Sequence, residues 1–450
     1  MRDRLTRHIL AQIVCLGTHS VTSLLTCSGR LQQDWSADYR MYSRDRIEPD
    51  ALFASVRQNL LDLLPHNSPA VVALDDTRLR KSGRKVSGAK YTRDPLGPRF
   101  QVNFIWAQRF VQLSMATAGD AHTRMVPIAW RHAPTPPKPA SKASSDDHQL
   151  YRQACRQAAL GAVAGRELAH LRSWMDSHGQ AGRLLCSVVD GGYTNQTLLK
   201  NLPPQTVVIG RIRADAKLYH LPQSQPANGR HRLYGALAHT PEQLRQDDSV
   251  AWQTIPVWIG GQQHELRIKT LGPLRWRSAG GGHTLRLVVL APLRYRQTPA
   301  GKLLYRSPAY LICTDFNEDP REIVQRYVHR WDIENNFREE KTLLGVGEAQ
   351  VREEHAVENV TGIAVAAYAM LLAASRNLDP SRDLTLPNPR WNRRPRPRVT
   401  TRQLIQQMRH DLWGEALSFS GFASTKTQAR SPGNDLSNPY HAVMHASRFS

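Results

Sequence analysis

Three acidic positions stand where carboxylates do chemistry rather than decorate a surface. Asp76, or its neighbour Asp75, closes the apolar run AVVALDDT (Ala70 to Thr77). Asp190 closes RLLCSVVD, and Glu334 lies within YVHRWDIENNFREEK (Tyr327 to Lys341). Short β-branched runs bounded by polar residues read as buried central strands. Acids at the ends of neighbouring buried strands converge at one edge of a sheet. Two aspartates and a glutamate meeting there make an oxygen-rich site for hard cations such as Mg²⁺. Two such ions about 4 Å apart support in-line attack at a phosphodiester, one activating the attacking oxygen and the other stabilising the leaving one. Either aspartate alone is more readily a turn or capping residue. The combination with Glu334 and a nearby basic loop favours the metal site.

The glutamate stretch has a pattern of its own. Tyr327, Arg330, Glu334 and Lys341 fall within a stripe roughly 60° wide if the segment is one helix. Ile323, Val324 and Trp331 project onto nearly the same stripe. Charges directed toward a protein interior are costly unless paired or holding a ligand. The stripe is therefore either a partly buried ion-pair cluster or a carboxylate held at an active site with basic neighbours.

The chain has 450 residues, with 60 Lys and Arg against 38 Asp and Glu, for a formal net charge of +22. That excess points to a polyanionic partner, nucleic acid first. Five scattered cysteines form no CxxC pair, which argues against a structural zinc site and a disulfide scaffold and suits a reducing cytoplasm. The most apolar segment, Val360 to Ala374, reads as a buried helix too short to span a bilayer, so no membrane role is expected.

These elements sit in a legible order. Residues 1–68 form a helical region that reads equally as a small DNA-binding domain or as a brace on the next domain. Residues 69–206 hold strands at Ala70–Thr77, Gln101–Ala118 and Arg124–Trp130, in the succession of an antiparallel meander. A Pro/Ser-rich linker, one helix over His148–His178 and the Asp190 strand come after them. Residues 77–93 hold seven Lys or Arg and no acid, with Gly83 and Gly88 marking a flexible loop. Residues 207–313 alternate apolar and polar in a β-rich block long enough to be an inserted subdomain. Residues 314–378 return to helix, and 379–450 form a Pro/Arg-rich linker and tail. Between Arg390 and Arg402 lie six Arg and no acid, in the manner of an extended arm.

The spacing Tyr327-x2-Arg330-x3-Glu334-x6-Lys341 resembles the Y-R-E-K signature of DDE transposases of bacterial insertion sequences. LDDT near position 75 and VVDGGY near 190 resemble the two Asp motifs of the same group. The likeness covers roughly residues 70 to 375. It implies an α/β ribonuclease-H-like core, a mixed sheet flanked by helices, with a β-rich insertion between the second Asp and the Glu. It also implies catalytic, metal-binding roles for Asp76, Asp190 and Glu334. Asp76 is preferred to Asp75 because the family's motif is an Asp followed directly by Thr. Strand alternation places the two on opposite faces, so only one can be a ligand.

The resemblance further implies two Mg²⁺ ions, with Mn²⁺ as an alternative, and DNA contacts from Tyr327, Arg330 and Lys341. Arg78, Arg80 and Lys81 in the basic loop are the other expected phosphate contacts. Relatives use an insertion-domain Trp on a flipped base; Trp252, Trp258 and Trp276 are undistinguished candidates, and each reads more readily as a core tryptophan. The expected activity is cleavage and strand transfer at transposon ends. The partners are then terminal inverted repeats and target DNA, with a dimer formed on DNA, in the cytoplasm at the bacterial nucleoid. Two rival readings remain: a DNA-binding relic without catalysis, and a ribonuclease-H-like structure-specific nuclease.

Overall fold

The computed structural model describes residues 1–28, 30, 34–98, 100–224, 229–296, 301–378 and 398–418. Most of the expected Pro/Arg linker (379–397) and the tail from 419 lie outside the described residues. The chain opens with helices α1 (Arg2–Val14), α2 (Val21–Cys27), α3 (Ser36–Ser43) and α4 (Ala51–Asp62). Strands β1 (Ala70–Arg80), β2 (Lys90–Arg93), β3 (Phe104–Ala116) and β4 (Met125–His132) follow. Next come α5 (Ser145–Gln157), α6 (Leu160–Ser177), β5 (Leu185–Val189), α7 (Gln196–Leu199) and β6 (Thr206–Arg211). The β-rich stretch contributes β7 (Tyr219–His220), α8 (Pro241–Gln246), β8 (Gln253–Ile259), β9 (Gln262–Arg275), β10 (Leu285–Leu290), β11 (Arg294–Arg296), β12 (Leu303–Tyr305) and β13 (Ala309–Cys313). The chain then runs through α9 (Pro320–His329), α10 (Asp332–Leu343), α11 (Glu354–Ala374) and α12 (Thr401–Ser418).

One mixed sheet of eleven described strands organises the molecule, in the order β2-β3-β1-β5-β6-β13-β10-β9-β7, with β4 on β3 and β8 on β9. The meander β1-β3-β4 is antiparallel, whereas β1-β5 and β5-β6 are parallel. A mixed sheet covered by helices is consistent with the ribonuclease-H-like expectation. The strands of 207–313 continue this same sheet, except β11 and β12, which pair with each other as a separate hairpin. Their excursion leaves after β6 and returns on β13, where Arg211 pairs with Leu311.

The opening helices complete the core of the sheet. Leu52, Phe53, Val56, Leu60 and Leu61 of α4 join the cluster that holds Val72 and Leu74 of β1. The alanine-rich α11 runs through that cluster, and Trp130 Nε1 of β4 donates to Thr361 Oγ1 at 2.9 Å. At 21 residues α11 is long and apolar enough to cross a membrane, yet it is mostly buried inside the protein.

Two helices expected as single pieces are interrupted. The helix of 148–178 divides into α5 and α6, where Ala159 is extended at φ −62°, ψ 138° and Arg109 Nη2 takes the Ala158 carbonyl at 2.6 Å. The Tyr327–Lys341 stretch divides into α9 and α10. At the junction the Trp331 and Glu334 amides reach back three residues, to Val328 O and Trp331 O, both at 3.2 Å. Three-residue bonds tighten a turn relative to an α-helix, so the stripe projected for one helix spans a joint.

Candidate active site

The register of β1 on β5 decides which carboxylates meet. Val72, Ala73 and Leu74 lie opposite Ser187, Val188 and Val189 in parallel. Asp75 and Asp190 are the next residue on each strand. Val72 and Leu74 point into the core beneath α4 and α11, while Ala73 packs with Ile333 of α10. Strand alternation then puts Asp75 on the α10 face. Val189 joins the first core, whereas Cys186 and Val188 pack with Ile323, Val324 and Tyr327 of α9. The same alternation gives Asp190 to the face of α9 and α10.

Arg330, at the α9–α10 joint, links the face together. Its Nη1 donates to Asp75 Oδ2 at 3.1 Å, and its Nη2 lies 3.5 Å from Glu334 Oε1. Burial pushes the Asp75 carboxyl up to about 7, Arg330 opposes the rise, and the charge of Asp190 adds to it. Asp190 caps its own turn, with Oδ1 accepting from the Gly192 and Tyr193 amides at 2.9 and 3.3 Å. The turn packs on β6, where a Cβ on Gly210 would fall 2.3 Å from Thr194 Oγ1. Glu334 is the open member, its side chain 47% exposed.

Asp76 lies elsewhere. It accepts from Tyr193 Oη at 3.3 Å and pairs with Arg78. Of the two neighbouring aspartates, Asp75 follows Leu74 in the β1–β5 register, level with Asp190, and is the one bonded to Arg330. The other expected residues divide as well. Tyr327, Arg330, Trp331, Glu334 and Asp190 line one cavity of about 1310 Å³. Lys341 Nζ donates to Thr77 Oγ1 at 2.6 Å and Arg78 O at 3.1 Å, which steadies β1 just past Asp75. Arg80 is exposed and pairs with Asp94 at 2.7 Å. Lys81 points inward. It is buried, its Nζ donates to Gly347 O at 2.9 Å and Ala349 O at 2.7 Å, and burial lowers its pKa to about 8.

The β-rich stretch supplies the far wall of the cavity with Arg211, Arg213, Lys217, Trp276 and Arg277. Sequence reading missed this wall as a unit, although the density of Arg and Trp in 207–313 was its signal. Among the three tryptophans, Trp276 lines the cavity. Trp252 packs against the core beneath Lys269, whose Nζ lies 4.7 Å from its ring. Trp258 is tied to α9 through both backbone groups by Gln325, at 2.8 and 3.1 Å.

No three carboxylate, histidine or cysteine groups among the described residues are gathered closely enough to hold a metal ion as they stand. Glu334 is turned to Arg330 rather than to the aspartates. The donor chemistry nevertheless suits a hard divalent cation. All three groups offer oxygen, and two carboxylates on adjacent strand ends repel each other in a partly buried site, a cost that a cation removes.

A family model described as DDE superfamily endonuclease matches residues 1–264. A second, described as Transposase DDE domain, matches residues 168–370. No curated protein matches the chain. The two matches overlap across Asp190. The first contains Asp75 and Asp76, the second Glu334.

Proposed function

Because this chain belongs to the DDE superfamily of endonucleases, we propose that it is a DNA transposase that cuts a strand at a transposon end and joins the freed 3′-hydroxyl to target DNA. The observation that supports this reading is that Asp75 and Asp190 end adjacent parallel strands on the face packed by α9 and α10, with Arg330 bridging Asp75 and Glu334. The Y-R-E-K spacing supports it, and so does the charge of +22.

Nucleases of this superfamily generally use divalent metals. Asp75, Asp190 and Glu334 would hold the ions, Mg²⁺ in our reading. The bound metal supplies activation of the attacking oxygen and charge stabilisation at the leaving one. The chain's own residues do the rest. Arg330 keeps Asp75 and Glu334 on the same wall and offers its charge to the scissile phosphate. Lys341 uses two donors on β1, and an ammonium has three. Tyr327, buried beneath the Arg330 guanidinium at 5.8 Å, fixes the floor on which that cation rests. Arg211, Arg213, Lys217 and Arg277 give the opposite wall the charge to carry the strand away from the cut. Pairing two transposon ends calls for a dimer on DNA.

The test is Mg²⁺-dependent nicking of DNA bearing the element's terminal repeats, followed by joining to a supercoiled target. Asp190→Ala and Glu334→Ala should abolish nicking while DNA binding stays measurable. Unchanged nicking in both variants would refute the assignment. Nicking without any joined product would favour a structure-specific nuclease.

A further inference from the structure

Beyond the cavity, one part of the surface departs from the rest. Tyr91, Leu96, Phe100, Val102 and Phe104 are exposed by 59 to 91%. All belong to the β2–β3 hairpin, and nowhere else among the described residues do large apolar side chains stand out so densely in sequence. The tip is built. The Asp94 amide donates to Asn103 O at 2.8 Å, Asp94 Oδ1 accepts from the Leu96 amide at 3.0 Å, and the Gln101 amide reaches Pro98 O at 3.2 Å. Trp106 anchors the base, its Nε1 donating to Gly83 O at 2.9 Å, with Tyr91 edge-on at 5.1 Å. These turns present Leu96 and Phe100 outward instead of folding them in.

An exposed apolar cluster of this kind marks a surface that a partner covers. Charge identifies the partner. Residues 77–93 hold seven Lys or Arg and no acid. Of these, Arg84, Lys85 and Arg93 are exposed around the hairpin. A second copy docking edge-to-edge on β2 would set Lys90 and Arg93 against their own counterparts, which is repulsive. A duplex satisfies both features, because its phosphates take the cations and its base steps accept apolar wedges. The position is right as well. Lys90 and Arg80 share the Ala107 rung, which lies roughly 16 Å along the strand from Asp75 at ~3.3 Å per residue.

We infer that the β2–β3 hairpin is a DNA-docking element in which Leu96 and Phe100 wedge against base steps of the duplex flanking the cut, while Arg84, Lys85 and Arg93 hold its phosphates. This rests on the reading of the chain as a DNA-cutting enzyme and adds where, and by what contact, the duplex is held and bent.

The experiment uses the full chain and a fluorescent duplex of arbitrary sequence, with dyes at both ends so that affinity and bend are read together. Light scattering gives the mass of the free protein. Leu96→Ser/Phe100→Ser should weaken binding about tenfold, lose the bend, and keep the wild-type melting temperature and mass. Arg84→Ala/Lys85→Ala should reduce the salt dependence of binding and leave the bend. Wild-type affinity and bend in the serine variant would overturn the inference. A fall in mass with the loss of binding would overturn it too, in favour of a second copy. If the wild type binds no duplex at all, the transposase reading falls, and the wedge with it.

Discussion

Arg398 grips Asp332 with both guanidinium nitrogens, Nη1 to Oδ2 at 3.1 Å and Nη2 to Oδ1 at 2.8 Å. Asp332 opens α10, the helix that carries Glu334, and Arg398 stands three residues before the start of α12. The same Arg398 donates to Thr123 O at 2.7 Å, and the Met125 amide reaches Asp332 Oδ2 at 3.2 Å. Burial works against the charge on Asp332, yet the hydrogen bonds from Arg398 hold its carboxyl below the ordinary value.

Removing that grip should loosen the helix start that sets Glu334. Arg398→Ala leaves Asp332 with its charge and fewer donors. Arg398 is 35% exposed, so we expect a loss of about 1–2 kcal/mol rather than the full cost of a buried pair. Thermal melting reads this. Nicking at saturating DNA should fall further than DNA affinity does, and Arg398→Lys should recover only part of it, because lysine cannot bind a carboxylate with a two-pronged fork.

The two adjacent aspartates should separate cleanly. Asp75→Ala should abolish nicking. Asp76→Ala should retain it and lose about 1 kcal/mol of stability, the worth of one hydrogen bond with its partner left over. Nicking assays paired with melting curves decide the matter. Loss of nicking in Asp76→Ala with activity kept in Asp75→Ala would reverse our assignment.

Glu340 gives stability a pH dependence. It is 1% exposed, and burial pushes its pKa from 4.5 up to about 8. A hydrogen bond with Gln112 and the charge of Lys341 pull the other way, while Glu339 adds to the rise. A carboxyl raised on folding is kept neutral by the fold. Its contribution is complete below about 4.5 and is lost as pH climbs through about 8. Across that window the wild type should lose up to about 1.4 kcal/mol per pH unit from this group. Glu340→Gln should lack the loss, so the variant gains on the wild type between pH 5 and pH 9 in denaturant titrations.

Lys81 should behave as a structural cation. Lys81→Ala leaves the Gly347 and Ala349 carbonyls without their donor, at a cost of about 1–3 kcal/mol. The salt dependence of DNA binding should stay as it was, in contrast to a residue that contacts phosphate. Anisotropy titrations at several salt concentrations make the comparison.

The sequence exposed the chemistry more readily than the choice of partners. Asp190 and Glu334 were legible because a glycine turn and a four-residue spacing surround them. Asp75 and Asp76 were not separable, since both follow one apolar run and only the register against β5 says which faces α10. Lys81 sat in a run of basic residues that read as a loop. In fact β1 continues to Arg80, and the next side chain turns in toward the Gly347–Ala349 segment. The wall from Arg211 to Arg277 depends on strands far apart in the chain pairing into one sheet, which periodicity within a segment does not encode. The joint at Arg330 and Trp331 escaped for a similar reason: both residues keep helical dihedrals, and only the shortened hydrogen bonds reveal it.

The excursion between β6 and β13 starts and finishes on a single rung, Arg211 opposite Leu311. A detour with its two ends on one rung imposes no span of its own on the strands that hold Asp75 and Asp190. The sheet thus keeps the strand ends that hold Asp75 and Asp190 apart in the chain from the excursion that builds the far wall of the cavity.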